Sequence, residues 1–163
     1  ANASVLAQAP RPPEVLAARF AQGARCIAAT RDGRLAGFIW YVPGPYDEDE
    51  VRARFVPAPA GQVAWDFDVM ILPEYRMGRL FGALWACAHA ELAARGVRYT
   101  ASRISAFNAA SVAAHRRLGG RIVGSASFLT LGSLQLMWSS QSPRCHLSWR
   151  PSDRPSLVVA AEL

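Results

Sequence analysis

The sequence predicts one α/β domain, with a central mixed β-sheet flanked by helices. Three observations lead to this class. The chain has 163 residues, the size of a single domain that can bury a core. Strand-like and amphipathic helical segments alternate, in the order helix, strand, strand, strand, helix, strand, helix, strand, strand. The strand–helix–strand unit over 62–107 should form a right-handed crossover, which makes its two strands parallel.

The composition argues against several other classes. Hydrophobic residues make up 52% of the chain and charged residues 18%, which is typical of a globular protein and not of a disordered one. No apolar run is long enough to cross a bilayer, and the first residues lack the pattern of a secretory signal. The three cysteines, Cys26, Cys87 and Cys145, are widely spaced. They indicate reduced thiols in a cytoplasmic protein and no metal site.

The first half of the chain reads as a short helix over 14–22 followed by three strands. These strands are expected at 26–30, 35–42 and 62–72. Between the first two lies Asp32-Gly33, a dipeptide that favours a tight hairpin turn. Residues 43–61 are rich in proline and carry an acidic run at 47–50. We interpret this segment as a loop that is either a functional lid or a disordered excursion.

The second half contains the longest predicted helix, at about 76–95. Its apolar residues recur every four positions, at Leu80, Leu84, Ala88 and Leu92. Gly96 is expected to end the helix. Asn108 is a suitable N-cap for a short helix over 109–118. Further strands are expected at 97–107, 121–131 and 134–140. We assign residues 1–140 to one domain and residues 141–163 to a tail that could add an edge strand.

Residues 76–82 lie where a strand gives way to a helix. A helix start presents free backbone N–H groups and the positive end of the helix dipole, so anions bind there. Gly78 and Gly82 would let a ligand approach closely, and Arg76 and Arg79 could pair with phosphate oxygens. The pattern alone is equally consistent with exposed arginines at a glycine-containing helix start.

Two motifs resemble the GNAT superfamily of acyl-CoA-dependent N-acyltransferases. VMILPEYRMGRLFGAL (69–84) is similar to the family's strand, V-x-P-E-Y-R segment and glycine-containing loop. ISAFNAASVAAHRRLGG (104–120) is similar to its later N-x-x-A-x-x-x-Y-x-x-x-G-F segment. The agreement in element order runs from about residue 15 to residue 140. There are three departures from the family pattern. In the loop, Arg79 and Phe81 stand where the family prefers small residues, and the glycines are one position off. His115 replaces a tyrosine, and the family's first strand and first helix are short or missing before residue 14.

The resemblance implies a GNAT-like fold and the use of acetyl-CoA as cosubstrate. It implies that the pyrophosphate of coenzyme A binds to residues 76–82, namely Arg76, Met77, Gly78, Arg79, Leu80, Phe81 and Gly82. It also implies that the backbone of Met70 and Ile71 pairs with the pantetheine arm, which Asn108 and Ser111 help to hold. In this family an N–H near Ile71 is the expected donor to the carbonyl oxyanion.

The implied reaction is direct attack of an amine on a thioester, which requires a base and an acid. Asp66 and Asp68 are two apart on a predicted strand, so both are expected on one face, and one of them could have a raised pKa and act as base. The alternative is that this face is solvated, or that the aspartates pair with arginines. His115 lies where the family often has its general acid, and a charged histidine can protonate a departing thiolate.

Three functions therefore remain open. The first is an N-acetyltransferase that acts on a primary amine of a small molecule or peptide. The second is a non-catalytic CoA-binding module of the same fold. The third is a basic nucleic-acid-binding protein, since the net charge is +6, although no arginine-rich block is present. A homodimer is possible. Six aromatic residues are expected near the acceptor cleft, most of them in the core: Trp40, Tyr41, Tyr46, Phe107, Phe128 and Trp138.

Overall fold

The computed structural model describes residues 3–76 and 78–161. Its helices are α1 (Ala3–Leu6), α2 (Pro13–Ala21), α3 (Leu80–Ala93) and α4 (Ala109–Arg117), with a short 3-10 turn at Pro73–Tyr75. Its strands are β1 (Arg25–Arg31), β2 (Arg34–Val42), β3 (Tyr46–Asp47), β4 (Arg54–Ala58), β5 (Val63–Ile71), β6 (Tyr99–Ala101), β7 (Ala126–Leu131), β8 (Leu134–Ser139), β9 (Cys145–Ser148) and β10 (Ser156–Ala160). No helix in these two ranges is long and apolar enough to span a membrane.

The central sheet has the order β1-β2-β5-β6. β1 and β2 are antiparallel around Asp32 and Gly33, whose φ angles of 51° and 75° are those a tight hairpin turn requires, so the hairpin prediction is confirmed. β5 and β6 are parallel and joined through α3, as the crossover rule predicts. The mixed sheet of the predicted fold class is therefore present.

Two smaller sheets pack beside the central one. They have the orders β10-β4-β3 and β7-β8-β9. The first sheet corrects the interpretation of residues 43–61 as a lid or a disordered excursion. This segment contains β3 and β4, and the side chains of Tyr46 and Phe55 are buried in the core. Its prolines interrupt the pattern that would otherwise identify short strands.

The tail from residue 141 contributes a strand to each of these smaller sheets. β9 pairs with β8 at an outer edge, whereas β10 runs parallel to β4 and buries Leu157 and Val159. The assignment of residues 1–140 to a separate domain remains a prediction.

The core has two main parts. The larger part, here the main core, lies between the central sheet, α1, β4 and β10, and includes Trp40, Trp65 and Phe67. The smaller part, here the α3 core, lies under α3 and contains Ile39, Leu84, Trp85 and Ala88. The apolar spacing that predicts this helix also identifies its buried face, because Leu84, Ala88 and Leu92 are all buried.

Candidate active site

A β-bulge divides β5 into two parts. Phe67 lies opposite Trp40 of β2, and Met70 lies opposite Phe38. Asp68 and Val69 therefore share a single opposing residue between these pairs, and Asp68 has a φ of 46°. Side chains along a strand alternate between the two faces of the sheet, and the extra residue shifts this alternation by one. Two residues an even number of positions apart therefore point to opposite faces across the bulge.

The bulge overturns the expectation that Asp66 and Asp68 share a face. Before it, Asp66 lies on the same face as Ala64, which packs toward α3 with Leu92. Asp68 lies on the opposite face and contacts α2 through Arg19. The two carboxylates therefore do not form a pair.

The pairing of β5 with β6 ends next to Asp66. Their pairing runs only from Val63↔Tyr99 to Trp65↔Ala101, while β5 continues to Ile71. The strand expected over 97–107 is thus wrong in its length, since only Tyr99–Ala101 pairs with β5. Beyond Trp65, no strand of the described residues pairs with this edge of β5. We call this unpaired edge, the backbone of 66–71, the opening between β5 and β6. An extended ligand can add to such a strand edge through main-chain hydrogen bonds.

Asp66 is the first residue of β5 beyond the end of this pairing. Its side chain is only 3% exposed and accepts hydrogen bonds from Thr100 and Ser102 on the β6 side. Burial is the dominant influence and raises the pKa of the Asp66 carboxyl to about 7, despite the opposing effect of these hydrogen bonds. A carboxyl group with this pKa can accept and release a proton near neutral pH.

Asp68 is held by two guanidinium groups. Arg11 donates to both of its oxygens, and Arg19 donates to Oδ2 at 2.5 Å. Arg19 also pairs with Asp49, and its guanidinium lies over the rings of Trp40 and Phe67, at 5.4 and 5.2 Å from their centroids. The alternative that an aspartate of this strand pairs with arginines is confirmed for Asp68. Nothing in this geometry supports Asp68 as a catalytic base.

The start of α3 is uncapped. The helix begins at Leu80 and not at 76, no side chain caps it, and its first turn carries no acidic residue. The N–H of Ala83 already bonds to the carbonyl of Arg79, so the N–H groups of Leu80, Phe81 and Gly82 are those the helix leaves without an internal partner. Apart from its chain neighbours and the backbone of its own helix, no atom lies within 4 Å of where a Cβ on Gly82 would be. An anion can therefore approach this end of the helix.

The side chains around this helix start differ in their orientation. Arg76 donates from Nε to the carbonyl of Ile71 at 3.0 Å, which ties it to the end of β5. Phe81 packs inward against the α3 core, beside Trp85. Phe81 therefore does not block the helix start. Met77 lies outside the described residues.

Asn108 and His115 are held by local contacts within α4. The side chain of Asn108 accepts a hydrogen bond from the N–H of Ser111 at 3.1 Å, which confirms the predicted N-cap. Nδ1 of His115 lies 2.8 Å from the carbonyl oxygen of Ser111. Because a carbonyl only accepts, Nδ1 carries the proton and Nε2 is left for another partner.

His115 also connects α4 to α3. Its ring meets the edges of Phe81 and Trp85, with centroid distances of 6.1 and 5.6 Å. The residue is half-buried and thus stands at the contact between the two helices that follow β5 and β6.

Most of the aromatic residues proposed for the acceptor cleft lie elsewhere. Trp40, Tyr41 and Tyr46 are core residues, which agrees with the expectation that most of the six aromatic residues lie in the core. Phe107 is fully exposed, and Phe128 and Trp138 belong to the β7-β8-β9 sheet. Sequence reasoning missed Thr100 and Ser102 as partners of Asp66. Within the ranges 3–76 and 78–161, no group of three or more His, Cys, Asp or Glu residues could hold a metal ion.

Comparison with known families identifies the class of this protein. A profile of the Acetyltransferase (GNAT) family matches residues 4–120. The match covers well over half of the chain, so the chain belongs to this family. No protein of curated function matches the sequence at a significant level.

Solved structures agree with this fold. Aminoglycoside N-acetyltransferase AAC(6')-Iy in complex with CoA superimposes with a TM-score of 0.57 at 20% identity, over 80% of this chain and 96% of that one. An acetyltransferase from Trypanosoma brucei gives 0.58 at 18% identity, over 80% and 96%. Ribosomal-protein-alanine N-acetyltransferase from Brucella melitensis biovar Abortus gives 0.52 at 18% identity, over 79% and 87%. At such identities the similarity demonstrates the fold.

Proposed function

We propose that this protein is an acetyl-CoA-dependent N-acetyltransferase that acts on a primary amine of a small molecule or peptide. Membership of the acetyltransferase family supports the general class. Two of the similar structures are named for N-acetyl transfer, one to aminoglycosides and one to a ribosomal protein. The first of these contains CoA.

One observation carries the proposal more than any other. The pairing of β5 with β6 ends beside a buried carboxyl whose pKa is about 7, and α3, which follows β5 in the chain, has an uncapped start. The opening would accept the pantetheine arm against the backbone of Met70 and Ile71. The helix start, with Arg76 and Arg79, would accept the pyrophosphate. The proposed phosphate site thus lies at the start of α3, and the proposed base lies where the β5–β6 pairing ends.

In the proposed reaction, Asp66 takes up the proton that the amine loses as it attacks the thioester carbon. A water molecule relays this proton, because the carboxyl is almost fully buried. A backbone N–H near Ile71 stabilises the oxyanion that forms. As the C–S bond breaks, Nε2 of His115 in its protonated form donates a proton to the departing thiolate. Asp66 and His115 then return to their starting states by exchange with solvent.

A non-catalytic CoA-binding module is the second candidate. The near-complete burial of Asp66 favours it, since the carboxyl has no direct access to an acceptor in this conformation. The two candidates share the phosphate site and differ in turnover. Calorimetry tests the first property and a thiol-release assay tests the second.

Isothermal titration with acetyl-CoA is the deciding binding experiment. We expect binding by the unaltered protein and a large loss of affinity in Arg76→Ala/Arg79→Ala. Arg95→Ala is the matched control, because Arg95 is an exposed arginine that pairs with Glu91 at the other end of the same helix region. No binding by the unaltered protein would exclude both candidates. Binding without thiol release across a panel of amines would favour the binding module.

A further inference from the structure

The acidic run at 47–50 reaches β5 through an ion pair. Oδ2 of Asp49 accepts a hydrogen bond from Nε of Arg19 at 2.8 Å, and Arg19 also donates to Asp68 in the bulge of β5. The hydroxyl of Tyr46 donates to Oδ1 of Asp49 at 2.7 Å. Both carboxylate oxygens of Asp49 thus have partners, and the residue is fixed relative to β5 on the face that carries α2.

The same run also contacts the chain that follows β6. Nη2 of Arg103 lies 3.6 Å from Oε1 of Glu48 and also pairs with Oε2 of Glu50. Glu48 is only 8% exposed, so burial raises the pKa of its carboxyl, whereas the charge of Arg103 opposes this effect. Because a buried carboxylate is costly without a cation beside it, Glu48 holds the guanidinium of Arg103 in place.

These contacts connect the two strands beyond their own pairing. The last paired residues are Trp65 of β5 and Ala101 of β6. Asp68 lies three residues further along β5, and Arg103 lies two residues after Ala101. Residues 48–50 therefore join the two parts of the chain at a level where β5 and β6 are no longer paired.

Ser102 lies next to this connection and contacts Asp66. Thr100 is opposite Ala64 in the β5–β6 pairing, so it shares a face of the sheet with Asp66. Ser102 follows two residues later, and both hydroxyls bond to the carboxyl of Asp66. Thr100 is held by the pairing with β5, whereas Ser102 lies beyond it and directly before Arg103. The place of Ser102 therefore depends on what fixes Arg103.

We propose that Arg103 is a positioning residue of the reaction: its ion pairs with Glu48 and Glu50 keep Ser102 against the carboxyl of Asp66. This inference rests on the proposed function, in which Asp66 takes up the proton of the amine. A hydrogen bond from Ser102 favours the ionised carboxylate, which is the form that acts as base. Without this bond, Asp66 keeps its proton to a higher pH, and less of the protein carries an active base near neutrality.

The other groups around Asp66 leave the two hydroxyls as the main opposing influence on its protonation. Tyr41 lies opposite Asp66 on β2, and burial raises its pKa to about 12, so it is uncharged near neutral pH. The titratable and charged residues on the surrounding elements are Arg34 and Tyr41 on β2, Cys87, His89 and Glu91 on α3, and Tyr99 on β6. Among the described residues, none of these acts on the pKa of Asp66, which reflects burial, the two hydroxyls and its own backbone.

NMR titration of the full chain with isotope-labelled aspartate follows the carboxyl of Asp66 directly, and Asp66→Asn identifies its signal. The test variant is Glu48→Gln/Glu50→Gln, which releases Arg103. We expect the titration midpoint of Asp66 to rise by up to about one pH unit. Removing two negative charges would by itself lower this midpoint, so the direction of the change separates positioning from a simple charge effect. A midpoint that falls or stays constant would overturn the inference.

Asp47→Asn is the matched control for this titration. Asp47 belongs to the same acidic run but pairs with Arg54 of β4, at 3.3 Å, so the midpoint of Asp66 should equal that of the unaltered protein. A double-mutant cycle covers the case in which the test variant does not fold. Arg103→Gln and Ser102→Ala should each raise the midpoint, and the combined variant should not exceed Ser102→Ala alone. Fully additive shifts would contradict an action of Arg103 through Ser102.

Calorimetry and kinetics of Arg103→Gln separate this inference from the proposed function. Acetyl-CoA should bind as it does to the unaltered protein, because Arg103 is not part of the proposed phosphate site. With the amine of the panel that releases thiol fastest, kcat at pH 7 should fall roughly fivefold, as a midpoint one pH unit higher implies. Unchanged kcat with binding retained would overturn the inference and leave the proposed function in place. A lack of acetyl-CoA binding by the unaltered protein would overturn both.

Discussion

Nη1 of Arg19 donates a hydrogen bond to Oδ2 of Asp68 at 2.5 Å, and this contact joins helix α2 to the bulge of β5. The Arg19 side chain is almost fully buried, and its other nitrogens pair with Asp49. Because Asp68 is the residue with positive φ in the bulge, the ion pair fixes the point at which β5 changes face. The course of β5 beside the opening between β5 and β6 is therefore held by a residue of α2.

Replacing Arg19 should destabilise the protein strongly. Arg19→Met removes the buried cation shared by two carboxylates and leaves Asp68 with Arg11 alone and Asp49 with the hydroxyl of Tyr46. We therefore expect the free energy of unfolding to fall by about 3 kcal/mol, the lower end of the range for a broken buried pair. Arg25→Met is the matched control, because the pair of Arg25 with Glu91 is exposed and should contribute less than about 1 kcal/mol. Urea denaturation measures both values. Similar losses in the two variants would show that the buried ion pairs of Arg19 contribute no more to the free energy of unfolding than the exposed pair of Arg25.

Removing the proposed base should impair turnover more than binding. Asp66→Asn keeps the shape of the side chain but cannot accept the proton, so kcat should fall by about 10²–10⁴-fold. In the unaltered enzyme kcat should rise with pH and level off above about 7, and this limb should be absent from the variant. Steady-state kinetics over a range of pH measures both effects. A variant that keeps its turnover and its pH profile would exclude the role.

The raised pKa of Asp66 also predicts how stability depends on pH. The carboxyl binds its proton more tightly in the folded protein, where its pKa is about 7, than in the unfolded chain, where the ordinary value is 3.8. Its contribution to stability is therefore fully present below about pH 4 and is lost as the pH rises to about 7. The total change is roughly 4 kcal/mol.

Chemical denaturation at several pH values measures this dependence. Asp66→Asn removes the titrating group, so the difference in unfolding free energy between the two proteins isolates its contribution. The variant should gain stability relative to the unaltered protein between about pH 4 and pH 7. A constant difference over that range would show that the folded protein does not shift this pKa.

His115 should matter for turnover and His89 should not. His115→Gln removes the proposed proton donor, so kcat should fall by about 10²-fold or more while acetyl-CoA binding is retained. His89→Gln is the matched control, because His89 also contacts Trp85, with a centroid distance of 5.2 Å, but lies on α3. Thiol-release kinetics compares the two. Full turnover in His115→Gln, or equal losses in both variants, would contradict a role as general acid.

The features that sequence reasoning predicted correctly depend on local signals. The Asp32-Gly33 turn needs only two residues with positive φ, and the Asn108 cap needs only the N–H of a residue three positions later. The buried face of α3 follows from the spacing of apolar residues within one helix. Each of these preferences acts within a few residues, so it can be read from the chain itself.

The features that were missed depend on distant partners. The segment around Asp68 has no glycine or proline to mark a bulge, and the extra residue becomes evident only when β2 is placed beside it. Arg19 is buried because carboxylates 30 and 49 residues away neutralise it. The end of β6 at Ala101 likewise reflects where its pairing with β5 ends, although β5 itself continues. The strand propensity of the residues after Ala101 does not indicate this end.

The place of β10 in the fold has a consequence for biosynthesis. This strand pairs with β4, about a hundred residues earlier in the chain, and its Leu157 and Val159 complete the main core. The apolar surface around Phe55 thus stays uncovered until the ribosome has released residues 156–160. Nascent chains must pass this stage with exposed apolar surface, when chaperones can bind them. A premature stop codon just before β10 would therefore produce material for proteolysis and not a shorter working protein.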